Sequence, residues 1–284
     1  MIANKAGAVH SMARHRITQG GVEETVLIPL YARAVETAGP DPALRDPRAA
    51  EMVDGIEYDY RKFDGQPSLK GAVMRTVLFD LWTRDFLAEH PDGTVIEVGT
   101  GLNTRFERTD NGRASWYDLD LPAVIALRRE FFEDTPRRTM IAASVTDPSW
   151  PDRVTGDGPR LISAEAVLAF LPEEDVRGVV GLLADRFPGA FLATDTSGPS
   201  IVRSQQNHDV LSRVDARMRW SCADPAEVTD WHPGTELLAS HTMTSLPPRL
   251  VEGLPRAYRD MIDELAVLRL PQVEQYRMNL YRLP

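Results

Sequence analysis

Apolar and polar positions along the chain alternate between two periods. Residues 94–98, 115–119, 139–143, 161–164 and 190–194 are short runs rich in β-branched and aliphatic side chains, which suit buried strands. Helical patterns over 123–132, with Arg128, Arg129 and Glu130 as a solvated face, and over 173–187 separate several of them, and strands alternating with helices predict a parallel sheet. Upstream, 68–89 reads as a long helix stopped by His90-Pro91-Asp92-Gly93. Residues 23–38 carry Val26, Leu27, Leu30, Ala34 and Val35 at helical spacing, and Pro29 should kink or restart that helix. A proline-rich connection, 41–47, leads to a short helix over 49–53. Downstream, 200–220 reads as an insertion with helical character over 202–218. The last two strands fall at 237–243 and 275–282, with a helix over 258–267 between them. Residues 1–20 read as a tail or a loosely held first helix, with Arg14-His15-Arg16 as a solvated patch.

The chemistry concentrates where the first strand run ends. Gly99 and Gly101 break it with a tight turn that leaves room for a ligand over the backbone. Asp120, nineteen residues after Gly101, closes the second strand run. A glycine turn after one strand and a carboxylate after the next make a nucleoside site, the carboxylate accepting from both ribose hydroxyls. Two cofactor classes use that arrangement. A dinucleotide favours a third glycine for its pyrophosphate, and here that position is Thr104. S-adenosylmethionine brings a sulfonium cation instead, which the Glu97 carboxylate suits, whereas it would repel a pyrophosphate.

Composition narrows the class further. The 284 residues suffice for one α/β domain with an added cap. A formal charge of −10 without a long basic run argues against nucleic acid and anionic membrane as partners. A single cysteine, Cys222, excludes an internal disulfide and points to the cytoplasm. No apolar run approaches the roughly 20 residues of a membrane span. The six histidines are scattered, so no metal site is expected.

The segments Glu-Val-Gly-Thr-Gly-Leu-Asn-Thr-Arg (97–105), Trp-Tyr-Asp-Leu-Asp-Leu-Pro (116–122) and Ala-Ala-Ser-Val-Thr-Asp-Pro-Ser-Trp (142–150) carry a more specific signal. In this order and spacing they resemble the leucine carboxyl methyltransferase family, in its bacterial branch akin to the tetracenomycin polyketide O-methyltransferases. The resemblance runs from about Val22 to Pro188. It implies an α/β, class I S-adenosylmethionine-dependent methyltransferase fold: a Rossmann-like, seven-stranded, mostly parallel sheet with an antiparallel last strand. Residues 1–66 would form a helical cap or lid, and 67–284 the methyltransferase domain, with 196–236 as an insertion covering the acceptor. The implied donor is S-adenosyl-L-methionine, with S-adenosyl-L-homocysteine as product. The implied cofactor-binding residues are Glu97, Gly99, Thr100, Gly101, Arg105, Asp120, Leu121, Ser144, Val145, Glu165, Ala166 and Arg75, which would hold the methionine carboxylate. The family's adenine carboxylate is replaced by Ser144, its Glu-Gly pair is Glu165-Ala166, and its tyrosine before Leu-Pro is Phe170.

Methyl transfer from a sulfonium is an in-line displacement, so alignment and exclusion of water come first. A carboxylate acceptor needs no base, whereas a phenol, which ordinarily titrates near pH ~10, does. Glu165 is a candidate to take a ring proton in carbon methylation, and His208, on the covering insertion, is the candidate base for a phenol. Tyr31 and Arg33 are candidates to face the acceptor or, alternatively, to pack and pair within the cap. The reading is O-methylation of a small secondary metabolite by a monomer or homodimer. Its rivals are C- or N-methylation of an aromatic or indole-type metabolite, carboxyl methylation of a protein C-terminus, and a non-catalytic nucleoside-binding module.

Overall fold

Thr94–Val98 forms β1, and all five of its residues are buried. The protein is seen as a computed structural model that describes residues 15–16 and 22–284. Strands β2 (Ser115–Asp120), β3 (Arg138–Ala142), β4 (Arg160–Ala164), β5 (Phe191–Ser197), β6 (Glu236–His241) and β7 (Tyr276–Arg282) complete one seven-stranded sheet. Its order is β3-β2-β1-β4-β5-β7-β6. The first five strands are parallel, and β7 runs antiparallel to both its neighbours. Because β1 pairs with β2 on one side and β4 on the other, the connections diverge there. Open α/β sheets bind ligands at such a switch point, outside the carboxyl ends of the strands.

The helices are α1 (Leu27–Thr37), α2 (Pro47–Gly55), α3 (Pro67–Glu89), α4 (Pro122–Arg128), α5 (Glu173–Arg186) and α6 (Arg256–Leu268), with shorter turns between them. The period-two pattern of the strands sorts the core onto two faces. Val95, Trp116, Leu161 and Met278 pack with α3, α6 and the N-terminal residues Ala32, Leu44 and Phe63. Ile96, Leu119, Ile141, Ile162 and Tyr281 pack with Val176, Val180 and Leu183 of α5. Glu97 alternates with Ile96 and so faces the α3 side.

Several boundaries moved for local reasons. The expected helix over 23–38 is two: Val22–Thr25, then α1, which restarts at Leu27 with Pro29 in its first turn. A proline there loses an N–H that has no intrahelical partner anyway. The short helix over 49–53 extends to Pro47–Gly55, because the Asp46 side chain accepts from Ala49 N and Pro47 fits the first position. The helical insertion over 202–218 did not form as one helix. It has only Pro199–Ser204 and the 3-10 turns Gln205–Asn207 and Leu211–Arg213. The Gln205 side chain bonds the backbone N–H and C=O of Met218, and His208 Nδ1 accepts from the N–H groups of Val210 and Leu211, so side chains take the place of helical partners. The tail expected over 1–20 lies outside the described residues, apart from His15–Arg16, which pairs with Ile56–Glu57. No helix among the described residues is long and apolar enough to cross a membrane.

Candidate active site

The turn after β1 passes through Gly99 and Gly101, with φ at +62° and +51°. A Cβ on Gly99 would stand 2.3 Å from Val167 Cγ2, and one on Gly101 3.2 Å from Val26. Conformation and space both demand glycine. Val167 follows β4 and Val26 precedes α1, so the turn lies against both the loop after β4 and the start of α1. Its carbonyls are pinned from below. Arg128 Nη1 donates to the C=O of Gly101 (2.9 Å) and Asn103 (2.8 Å), and Arg33 Nη2 donates to that of Leu102 (2.7 Å).

Asp120 sits at the end of β2, beside this turn. Its Oδ2 accepts from Gly101 N and its Oδ1 from Leu121 N, both at 2.7 Å. Burial pushes its carboxyl above the usual range, and those N–H groups oppose the shift. Each oxygen retains capacity for a further donor. Leu121 presents an exposed apolar side chain next to it. After β3, Ser144 Oγ meets Thr146 Oγ1 at 2.8 Å, while the Val145 C=O accepts from Trp150 Nε1.

A buried ion network lies behind the turn. Arg105 donates to Asp80 (2.9 Å), to both oxygens of Glu97 (2.7 and 2.8 Å), to Ser163 and to Glu165. Glu165 also accepts from Arg75 Nε (2.8 Å) and Thr76 Oγ1 (2.9 Å). Burial alone would raise the Glu165 carboxyl, but Arg75 and Arg105 together hold it far below the usual carboxylate range. For Glu97 burial wins over Arg105, and its carboxyl is pushed up. The network continues through Asp80 to Arg108, and through Arg108 to Asp46 before α2 and Arg33 on α1.

A family model described as leucine carboxyl methyltransferase matches residues 27–184. The tetracenomycin polyketide synthesis O-methyltransferase of Streptomyces glaucescens is 30% identical over 229 residues, covering 80% of this chain and 85% of that protein. The chain belongs to the leucine carboxyl methyltransferase family. A second relative, the S-adenosyl-L-methionine-dependent methyltransferase dpfgK of Gibberella zeae, is 26% identical and covers 79% of this chain and 83% of its own. Among solved structures, a protein from Thermobifida fusca has a TM-score of 0.60 at 18% identity, covering 93% of this chain and 95% of that one, which speaks to the fold. The methyltransferase is S-adenosylmethionine-dependent.

Apart from Ser144 and Val145 after β3, the site residues expected from sequence fall into three groups, Glu165 belonging to two of them. Gly99, Thr100, Gly101, Asp120 and Leu121 meet at the ends of β1 and β2, and Arg75, Glu165 and Ala166 meet at the end of β4. These fit a nucleoside with a charged tail. The glycines form a cradle that Cβ atoms would fill, and Thr100 Oγ1 is buried with no partner among the described residues. Glu97 and Arg105 form a second group, one layer deeper. Arg105 is 1% exposed with its donors on protein carboxylates, so it positions Glu97 and Glu165 rather than facing a ligand. Since Arg105 compensates Glu97, the expected repulsion of a pyrophosphate by Glu97 loses its force. The candidate catalytic groups form the third. The Tyr31 hydroxyl donates to Asp64, its ring stacks on Tyr60, and burial with that bond pushes its phenol to about 12. His208 Nδ1 lies 3.2 Å from two backbone N–H groups and 3.1 Å from Asp209 Oδ1, and its Nε2 approaches Ser68. The backbone contacts need a lone pair on Nδ1 and the carboxylate contact a proton. In either state the ring is committed to holding the insertion against α3. Glu165, held as an ion between two arginines, is a poor acceptor for a ring proton. None of the three stands as a free base.

Arg128 corrects the sequence reading outright. Expected on a solvated helix face, it is 1% exposed, pairs with Asp118 and holds the glycine turn. Asp118 was the available signal: a carboxylate inside a buried strand requires a cationic partner. Tyr276 and Asp195 were missed as well, because only the antiparallel pairing of β7 with β5 brings them together.

Proposed function

We propose that this methyltransferase methylates an oxygen of a small secondary metabolite, of polyketide, aromatic or carboxylic type, in the cytoplasm. The observation that carries the reading is the 30% identity to a polyketide O-methyltransferase across 80% of the chain. When bound, S-adenosylmethionine supplies an electrophilic methyl group on a sulfonium. Asp120 would accept from the ribose hydroxyls, and the Gly99-Thr100-Gly101 backbone would lie under the nucleoside. Leu121 and Val145 would flank the adenine, with Ser144 at its edge. Arg75 would grip the tail carboxylate through the part of its fork not used by Glu165 and Tyr276. Glu165 and Ala166 would border the tail. Val26 and the cap would exclude water, and the insertion after β5 would cover the acceptor.

With Tyr31, His208 and Glu165 committed to other partners, catalysis rests on alignment and desolvation, which suffices for an acceptor oxygen already ionised when it binds, as a carboxylate is. The test is calorimetric titration of the folded protein with S-adenosylhomocysteine, with NAD as control, followed by transfer of labelled methyl groups into metabolite extracts. Micromolar binding of the first ligand alone, and a product heavier by one methylene with a new O-methyl resonance, are expected. Binding of NAD instead, or methylation confined to a protein C-terminal carboxylate, would overturn the reading.

A further inference from the structure

A closed ring of hydrogen bonds stands at the end of β4. Arg75 Nε donates to Glu165 Oε1 at 2.8 Å, and the next peptide N–H, that of Ala166, donates to Asp195 Oδ1 at 2.6 Å. Tyr276 OH donates to Asp195 Oδ2 at 2.7 Å and accepts from Arg75 Nη1 at 3.1 Å, which closes the ring. Its members come from α3, the turn after β4, β5 and β7, and Asp195 is 4% exposed.

The direction of each bond is dictated chemically. An ionised Asp195 only accepts, so the Tyr276 proton must point to it, and a tyrosine lone pair is then left for Arg75. Arg75 is thus held at Nε from one side and at Nη1 from the other. A planar fork fixed at two points cannot swivel, and its remaining N–H groups have one direction to face. Glu165 supplies the opposing charge, but by itself it would leave rotation about the Nε–H bond unrestrained.

We propose that Tyr276, backed by Asp195, is a positioning residue that aims the Arg75 guanidinium at the carboxylate of the donor's amino-acid tail, and so selects ligands that carry the tail. This rests on the assignment of Arg75 to that carboxylate made above. The readout is the ratio of affinities for S-adenosylhomocysteine and 5′-methylthioadenosine, which share the nucleoside and differ in the tail. Tyr276→Phe is expected to weaken S-adenosylhomocysteine by about tenfold or more while methylthioadenosine stays within about twofold. Asp195→Asn should give the same split.

Arg75→Ala separates the two levels. If it leaves the ratio intact, the Arg75 assignment itself fails. If it collapses the ratio while Tyr276→Phe and Asp195→Asn do not, only the aiming role is overturned. Equal weakening of both ligands, or loss of folding in both ring variants by circular dichroism, would make the ring a fold element and likewise overturn the proposal.

Discussion

Replacing Arg105 by methionine tests how the three carboxylates around it are held. The guanidinium is buried and serves Asp80, Glu97 and Glu165 at once. After its removal Asp80 keeps Arg108 at 2.7 Å, and Glu165 keeps Arg75 at 2.8 Å with Thr76. Glu97 keeps only the neutral amide of Asn103. The cost should therefore concentrate on Glu97, at about 3–5 kcal/mol for a buried charge stripped of its partner.

The pH dependence then has a definite sign. Burial already raises the Glu97 carboxyl in the folded state, and losing Arg105 raises it further. A folded state that binds the extra proton is favoured at low pH, and that advantage is lost as pH rises from the unfolded value, near ~4.3, through the raised folded one. One proton changes stability by at most about 1.4 kcal/mol per pH unit, so recovery between pH 8 and pH 5 is bounded at about 4 kcal/mol. Urea unfolding of Arg105→Met should show the full loss at the higher pH and a partial return at the lower. Adding Glu97→Gln should recover much of the loss and flatten the profile. A loss below about 1 kcal/mol, or no effect of Glu97→Gln on the pH slope, would refute the assignment of Arg105 as the counterion of Glu97.

Three further outcomes follow from the same geometry. Ala166 sits at φ +56°, where a Cβ costs roughly 1–2 kcal/mol, so Ala166→Gly should stabilise by about 1 kcal/mol after the entropy of the unfolded glycine is subtracted, read as a higher urea midpoint. Arg128→Met removes the donor to the Gly101 and Asn103 carbonyls and leaves Asp118 to Arg138, so it should cost about 3 kcal/mol in urea unfolding and weaken S-adenosylhomocysteine; an unchanged midpoint would show that the turn holds itself. Asp120→Ala should lower affinity for S-adenosylhomocysteine by roughly 1.5–3 kcal/mol per lost ribose bond, and normal calorimetric binding would show that the ribose lies elsewhere.

The strands were legible in the sequence because a buried strand needs a continuous apolar run, and such a run is local. Thr94–Val98 matches residue for residue, and the others shift by only a few positions. The glycine turn was equally legible, since a positive φ beneath Val167 and Val26 admits little else. The insertion was not, because its backbone is satisfied by Gln205 and His208 side chains, and those contacts oppose the helical period of its apolar residues. The fate of the charged residues was not legible either. Arg128 beside Arg129 and Glu130 reads like any solvated helix face, and His208 on an insertion reads like a base. Their roles depend on what folding brings against them: Asp118 and the turn carbonyls for one, and Ser68 of α3 for the other, beside its own neighbours Asp209, Val210 and Leu211. Apolar pattern and backbone conformation are properties of a short stretch of chain, so the sequence by itself determined the sheet and the glycine turn. A buried charge is defined by its partners, and here most of those stand on other elements of the fold, so only the tertiary structure decided which ions build the site and which merely border it.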